Sequence, residues 1–264
     1  MIEDLGHMLV GNVHLLPLPG SPRYTGGGLG PIIERAVEES HILADAGFDS
    51  VLLQNAGDGN YRRDGGVETA AYMTAIGAEV RAAISCPLGF NVLPVGGPTA
   101  LSIAHAVGAR YVRVKIYVGA VVTADGIIGG SYREVLAFRK SIGAENIAIV
   151  ADVFDRSSWP VGDLSIEEAA KMAIEPGKAD VLVITGRSVD ESMRRARAVK
   201  DALPSVPIWC GGGSNPGNIA HLLTIYDGAI VGQGVKVAGD IRNKMDVGLS
   251  SDYVKHARAA RART

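Results

Sequence analysis

The chain has 264 residues, 47% of them hydrophobic and 5% aromatic, with 34 glycines. That length is enough to bury a large core and suits one α/β barrel. A formal charge of -2 at pH 7 leaves no basic footprint for nucleic acid, and no apolar run approaches the roughly 20 residues needed to span a bilayer.

In chain order, short β-branched runs alternate with amphipathic stretches. The runs that predict strands are Leu9–Leu16, Ser50–Gln54, Leu88–Leu93, Tyr111–Tyr117, Ile147–Phe154, Val181–Thr185, Pro207–Gly211 and Ala229–Gly232. The stretches between them predict helices over Pro31–Ala46, Val67–Ile84, Thr99–Val107, Tyr132–Ile142, Ile166–Ile174, Glu191–Leu203 and Pro216–Leu223, with a last one from Asp252. Pro31 suits a first helical turn, Asn215 before Pro216 reads as a cap, and Ser165 with Glu168 reads as a capping box. Gly47, Gly108 and Gly143 follow helical runs and suit the left-handed cap. Runs such as Val181–Ile184 are apolar throughout, as in a parallel sheet covered on both faces. These units, with no linker between them, predict a single domain over residues 1–264. Its class is α/β, a closed (β/α)8 barrel of the TIM type. An open, doubly wound sheet is the competing arrangement.

In such a barrel the chemistry lies where strands end and βα loops begin. His14 ends the first strand, and a substrate contact and a structural role are equally open to it. The second strand ends in Gln54, Asn55 and, past a short turn, Asp58. Asn55 and Asp58 are candidates for holding sugar hydroxyls or a divalent metal, against an Asx-type turn. Asn91 closes the third strand. Arg113 and Lys115 are two apart on the fourth, so they share a face. Two cations on one face need either a bound anion or carboxylate partners such as Asp152. Asp152 ends the fifth strand and, beside Lys115, is a candidate acid or base. Thr185 ends the sixth.

Gly211, Gly212 and Gly213 follow the seventh strand, and Gly232, Gln233 and Gly234 follow the eighth. Glycine turns at those two places form a common phosphate cradle, because main-chain N–H groups can approach an oxyanion closely. Tight βα turns are the plainer alternative. Gly26–Gly30 lacks the dinucleotide spacing, and no paired-cysteine or HExxH metal motif occurs. His41, His105 and His221 read as surface or interhelix residues. Cys86 and Cys210 have no paired spacing, and the N-terminus lacks a basic start and an apolar run, so a cytoplasmic protein is expected. The basic stretch from Lys255 to Arg263 reads as a solvated helix end rather than a membrane contact.

One set of segments is distinctive: His14–Pro22 (HLLPLPGSP), Asn55 with Asp58, Gly89–Leu93, Gly119–Ala120 followed by Asp125–Gly129, Ala151–Val153, Val183–Gly186, and the glycines after the seventh strand. Together they resemble the BtpA/SgcQ family, from about Gly11 to Val247. The resemblance implies a TIM-type barrel. For one branch it implies a role in photosystem I biogenesis, and for another an association with sugar-metabolism operons. The chain departs from the family pattern at Gln54, where Glu is expected, at Pro94–Gly96, and at Lys115, where Asn is expected.

Two functions follow as expectations. The first is an enzyme of carbohydrate metabolism, an isomerase, epimerase or lyase acting on a phosphorylated or otherwise anionic sugar. Its glycine turns and Arg113 hold the anion, Lys115 and Asp152 exchange protons, Asp58 assists, and His14, Asn55, Asn91 and Thr185 bind substrate. No cofactor is required by any motif, a divalent metal is allowed, and a homo-oligomer is the default for such barrels. The second is a non-catalytic assembly factor that uses the barrel as a scaffold.

Overall fold

The computed structural model of the protein describes residues 5–59 and 62–262. Arg263, the last residue of the basic tail, lies outside them. Eight parallel strands close into a barrel: β1 (Leu9–His14), β2 (Ser50–Gln54), β3 (Leu88–Asn91), β4 (Tyr111–Val114), β7 (Ala148–Val153), β9 (Val181–Ile184), β10 (Ile208–Cys210) and β11 (Gly228–Val231). Pairing of β1 with β11 closes it, which excludes the open sheet. Seven of the eight barrel strands lie within a predicted run, β11 starts one residue before its own, and most are one to three residues shorter. The predicted runs extend into the rim, where side chains and loops replace the ladder.

The helices are α1 (Gly30–Ala46), α2 (Gly66–Ala83), α3 (Gly97–Val107), α4 (Tyr132–Ser141), α5 (Ile166–Ile174), α6 (Val189–Ala202), α7 (Ile219–Leu222) and α8 (Val247–Arg261). Ser165 and Glu168 form the expected capping box at α5. Gly47, Gly108 and Gly143 all take positive φ. Two helix starts differ from expectation by three residues or more. The Asn215 side chain accepts from the Gly217 N–H in a local turn, which delays α7 to a single turn. Asp246 caps the Leu249 N–H and starts α8 before Asp252.

A feature without a sequence counterpart is a small antiparallel sheet of β5 (Ala120–Thr123), β6 (Gly126–Gly129) and β8 (Trp159–Pro160). It is built from the loops after β4 and β7, on the rim side of the barrel. Ile127 and Trp159 on it are exposed.

Side chains alternate along the strands, so one set packs outward under the helices and the other fills the barrel. The interior set is apolar at its lower levels: Met8, Val10, Leu52, Tyr111, Val150, Val183, Trp209 and Ile230 form one buried cluster. Two residues further along the same strands lie Asn12, Gln54, Arg113, Asp152 and Thr185, all buried. The barrel is therefore an apolar plug with a polar top layer.

The loop after β11 is anchored by a buried ion pair. Lys236 Nζ donates to both oxygens of Glu39 on α1, at 2.8 and 2.9 Å, and to the Asn243 carbonyl at 2.9 Å. Each side chain of the pair is 1% exposed. Removing one partner strands the other charge in a medium that solvates it poorly. Glu39→Ala should cost about 3 to 5 kcal/mol in urea unfolding. Glu38→Ala, which breaks the exposed pair with Lys244, should cost less than about 1 kcal/mol. Equal costs would contradict the anchoring role.

Candidate functional site

A cleft of about 130 Å³ opens at the C-terminal mouth of the barrel. Its walls bring together Asn12, His14, Arg113, Lys115, the Gly211–Gly213 turn and the Gly232–Gly234 turn. A second hollow of about 140 Å³ continues from it beneath the β5–β6 hairpin, and Lys115 and Asp155 line both.

The two glycine turns are in contact. A Cβ on Gly234 would collide with the Ser214 carbonyl, and one on Gly232 would collide with the His14 ring. Close approach, rather than flexibility, thus requires glycine at both places. Over the first turn lies Arg156. A Cβ on Gly212 would stand 3.3 Å from its Cζ. Arg156 is exposed and has no ion-pair partner among the described residues.

Arg113 reaches the cleft from the barrel interior. Its Nε and Nη2 each donate to Asp152 at 2.8 Å, in a two-bond pair. Burial opposes the charge on Arg113, but Asp152 outweighs it and holds the guanidinium above its ordinary pKa. Burial pushes the Asp152 carboxyl up against the pull of Arg113. The two-bond geometry is that of a carboxylate matched to a guanidinium. Asp152 therefore sits behind the cleft wall as the countercharge of Arg113. Its ion pair is with Arg113 and not with Lys115, the neighbour that the strand order had suggested.

The partner of Lys115 is Asp155, with Nζ 3.1 Å from Oδ1. Lys115 lies just past the end of β4, where the chain bends toward the hairpin. Asp155 also accepts from the Ser157 N–H at 3.0 Å and from the Ser157 hydroxyl. Burial raises this carboxyl, but Lys115, the Ser157 bonds and Arg113 together hold it below the usual carboxylate range. Phe154, immediately before it, has φ +56, an uncommon conformation for a bulky residue. Arg195 Nη1 secures that strained peptide by donating to the Phe154 and Thr185 carbonyls at 3.2 and 2.7 Å.

A chain of side-chain amides crosses the top layer. Asn91 Nδ2 donates to the Arg113 carbonyl at 2.8 Å. Gln54 Nε2 donates to Asn91 Oδ1. Asn12 Nδ2 donates to Gln54 Oε1 at 3.3 Å and faces His14 Nε2 at 3.1 Å. Burial above all, with Lys236 and Arg113, pushes the His14 pKa down to about 3.

Asn55, Asp58, Asn91 and Thr185 do not line the cleft. Asn55 Oδ1 accepts from the Leu93 N–H at 2.8 Å and its Nδ2 donates to Asp58. Asp58 also accepts from the Leu18 N–H at 2.8 Å, and burial pushes its carboxyl up. The pair thereby ties the loops after β1, β2 and β3 together. Thr185 is buried beside Gly211, with no partner for its hydroxyl among the described residues. No cluster of three metal-binding side chains occurs among the described residues, and no helix there is long and apolar enough to cross a membrane.

Sequence reasoning missed Asn12, Asp155 and Arg156. Asn12 carried a signal: it is a polar residue on the His14 face of an apolar strand. Arg156 carried none, because its position depends on the turn after β7.

The BtpA family matches residues 6–259. The chain belongs to the BtpA family. It is 33% identical over 243 residues to the photosystem I biogenesis protein BtpA of Synechocystis, covering 90% of this chain and 83% of that one. It is 37% identical over 240 residues to an uncharacterised protein of Pyrococcus furiosus, covering 90% of each. Among solved structures, 3-hexulose-6-phosphate synthase from Salmonella typhimurium is similar with a TM-score of 0.61 at 14% identity, covering 96% of this chain and 99% of that one. N-(5'-phosphoribosyl)anthranilate isomerase from Pyrococcus furiosus gives 0.58 at 16% identity, covering 96% and 100%. At those identities the likeness is one of fold, and it establishes the TIM-type barrel.

Asp155 offers a direct check of this BtpA-family site. Its depressed pKa means that the ionised form stabilises the fold above the ordinary carboxylate range, and that this stability is lost as pH falls through the folded value. Lys115→Met leaves burial less opposed. The Asp155 pKa should rise relative to the parent protein in a carbon-detected NMR titration. An unchanged or lower value would contradict the pairing.

Proposed function

We propose that this BtpA-family chain is an enzyme acting on a phosphorylated, or otherwise anionic, small sugar at the mouth of the barrel. The observation that carries this reading is the meeting of two glycine turns under Arg156, which has no ion-pair partner among the described residues, in one cleft with Arg113 and Lys115. An anion there exchanges water for main-chain N–H groups and charged donors, and a partly enclosed cleft screens those donors less than bulk solvent does. The similar barrels named above are, by name, an isomerase of a phosphoribosyl compound and a synthase of a sugar phosphate.

In this reading the Gly211–Gly213 and Gly232–Gly234 turns, with Gln233, hold the phosphate, and Arg156 closes over it. Arg113 adds charge from below, through the Nη1 group that its pair with Asp152 leaves out. The remainder of the sugar extends toward Lys115 and Asp155. That pair takes the proton-exchange role expected of Lys115 and Asp152, because it is the one exposed to both hollows. Proton exchange beside a carbonyl is the step shared by isomerases, epimerases and many lyases.

A second reading, an assembly factor, rests on the name of the Synechocystis relative and on the exposed Ile127 and Trp159 of the small sheet. That reading requires no metabolite affinity.

A thermal-shift series with sugar phosphates and the same sugars without phosphate separates the two. At a hundredfold excess over Kd, a phosphorylated ligand should add roughly 2.7 kcal/mol of apparent stability. Arg156→Gln should weaken that ligand roughly ten- to a hundredfold, since a charge-assisted bond contributes roughly 1.5 to 3 kcal/mol, while leaving the unliganded melting temperature unchanged. A flat response to every phosphorylated sugar would favour the assembly factor.

A further inference from the structure

The amide chain across the top layer has a fixed direction. It ends on the Arg113 carbonyl, which can only accept, so Asn91 must present Nδ2 there and Oδ1 to its other neighbour. Gln54 must then donate to Asn91 and accept from Asn12. Asn12 must turn Nδ2 toward both Gln54 and His14. His14 Nε2 consequently faces a donor and must be an acceptor. A proton there would set two donors against each other 3.1 Å apart. The imidazole proton is left on Nδ1.

Two buried polar atoms at the cleft then lack a partner among the described residues: His14 Nδ1 and Asn12 Oδ1. Both residues line the cleft, and the Nδ1 edge of the ring lies against Gly232. An unsatisfied buried donor or acceptor is costly, so such atoms mark places where a ligand supplies the missing bond. One is a donor and the other an acceptor. They fit a ligand that offers an oxygen to accept and, close by, a hydroxyl to donate.

We propose that His14 is a neutral donor which binds the carbonyl oxygen of a phosphorylated hydroxy-carbonyl compound through Nδ1–H, while Asn12 Oδ1 accepts from the neighbouring hydroxyl. The ligand class rests on the anion-site reading above; the tautomer does not. A neutral donor aimed at a carbonyl polarises it without giving up its proton, and stabilises negative charge that develops on that oxygen. No proton travels along the amides. Asn12, Gln54 and Asn91 act as positioning residues that fix which nitrogen carries the hydrogen.

The tautomer is read directly, without ligand, from nitrogen NMR of the histidine-labelled protein, with His14 assigned by its loss in His14→Phe. Nδ1 should show the pyrrole-type shift and Nε2 the pyridine-type shift, unchanged through the neutral range. Asn12→Asp places an acceptor against Nε2 and should move the proton there. An Nε2–H tautomer or an imidazolium in the parent protein overturns the proposal. The ligand class is read by calorimetry with inorganic phosphate, glycerol phosphate and dihydroxyacetone phosphate. The last should bind about tenfold more tightly than glycerol phosphate. His14→Phe should erase that preference while inorganic phosphate binds as before, and His14→Asn, which keeps an N–H donor, should restore part of it. Equal binding of the two organic phosphates by the parent protein overturns the carbonyl assignment. Failure of inorganic phosphate to bind removes the anion site and the ligand class together, whereas the NMR result still decides the tautomer.

Discussion

Arg113 is the residue on which the upper half of the barrel depends. A guanidinium inside a strand barrel is costly to desolvate unless its charge is matched. The match comes from the adjacent strand: Arg113 is level with Val150, and Asp152 is two residues further along on the same face. The side chain is thereby fixed, and so is the peptide that carries it. The carbonyl of that peptide is the terminus of the amide chain running through Asn91, Gln54 and Asn12 to His14. One buried ion pair therefore orders a cation at the cleft wall and sets the polarity of donors and acceptors on the opposite side.

The top layer also explains why one departure from the family pattern has structural weight. Gln54 stands where the resemblance led us to expect Glu. A glutamine both donates to Asn91 and accepts from Asn12, so it passes direction along the chain. A carboxylate would only accept, and Asn91 could not satisfy it and the Arg113 carbonyl in the same orientation. Lys115, the other departure at the rim, is balanced by Asp155, which Ser157 holds in place.

Much of the fold was legible in the chain because its causes are local. Runs such as Val181–Ile184 are apolar throughout since helices and plug cover both faces, and helix ends carried Ser165, Gly47 and Gly108 as chemical markers. The β5–β6–β8 sheet was not legible. Its strands are two to four residues long and largely solvent-facing, so hydrophobic periodicity left no trace. At the site, the glycine turns, Arg113, Lys115 and His14 were visible as polar or small residues at strand ends, and the structure gathers them in one cleft. Partner choice was not visible. Whether Lys115 meets Asp152 or Asp155 depends on where β4 stops and how the chain bends afterwards. Asn55 and Asp58 look like rim ligands in sequence, yet the backbone N–H groups of Leu18 and Leu93 claim them. Unpaired loop amides buried beneath a rim need acceptors as much as any substrate does.

The central claim is that the two touching glycine turns form an anion cradle. Its most direct test is a crystal structure of the protein soaked with tungstate, a heavy phosphate mimic whose position anomalous scattering reports without ambiguity. The account predicts one strong peak within hydrogen-bonding distance of main-chain amides from both the Gly211–Gly213 and the Gly232–Gly234 turns, with Arg156 closed over it. A cradle left vacant while tungstate binds elsewhere on the molecule would contradict it.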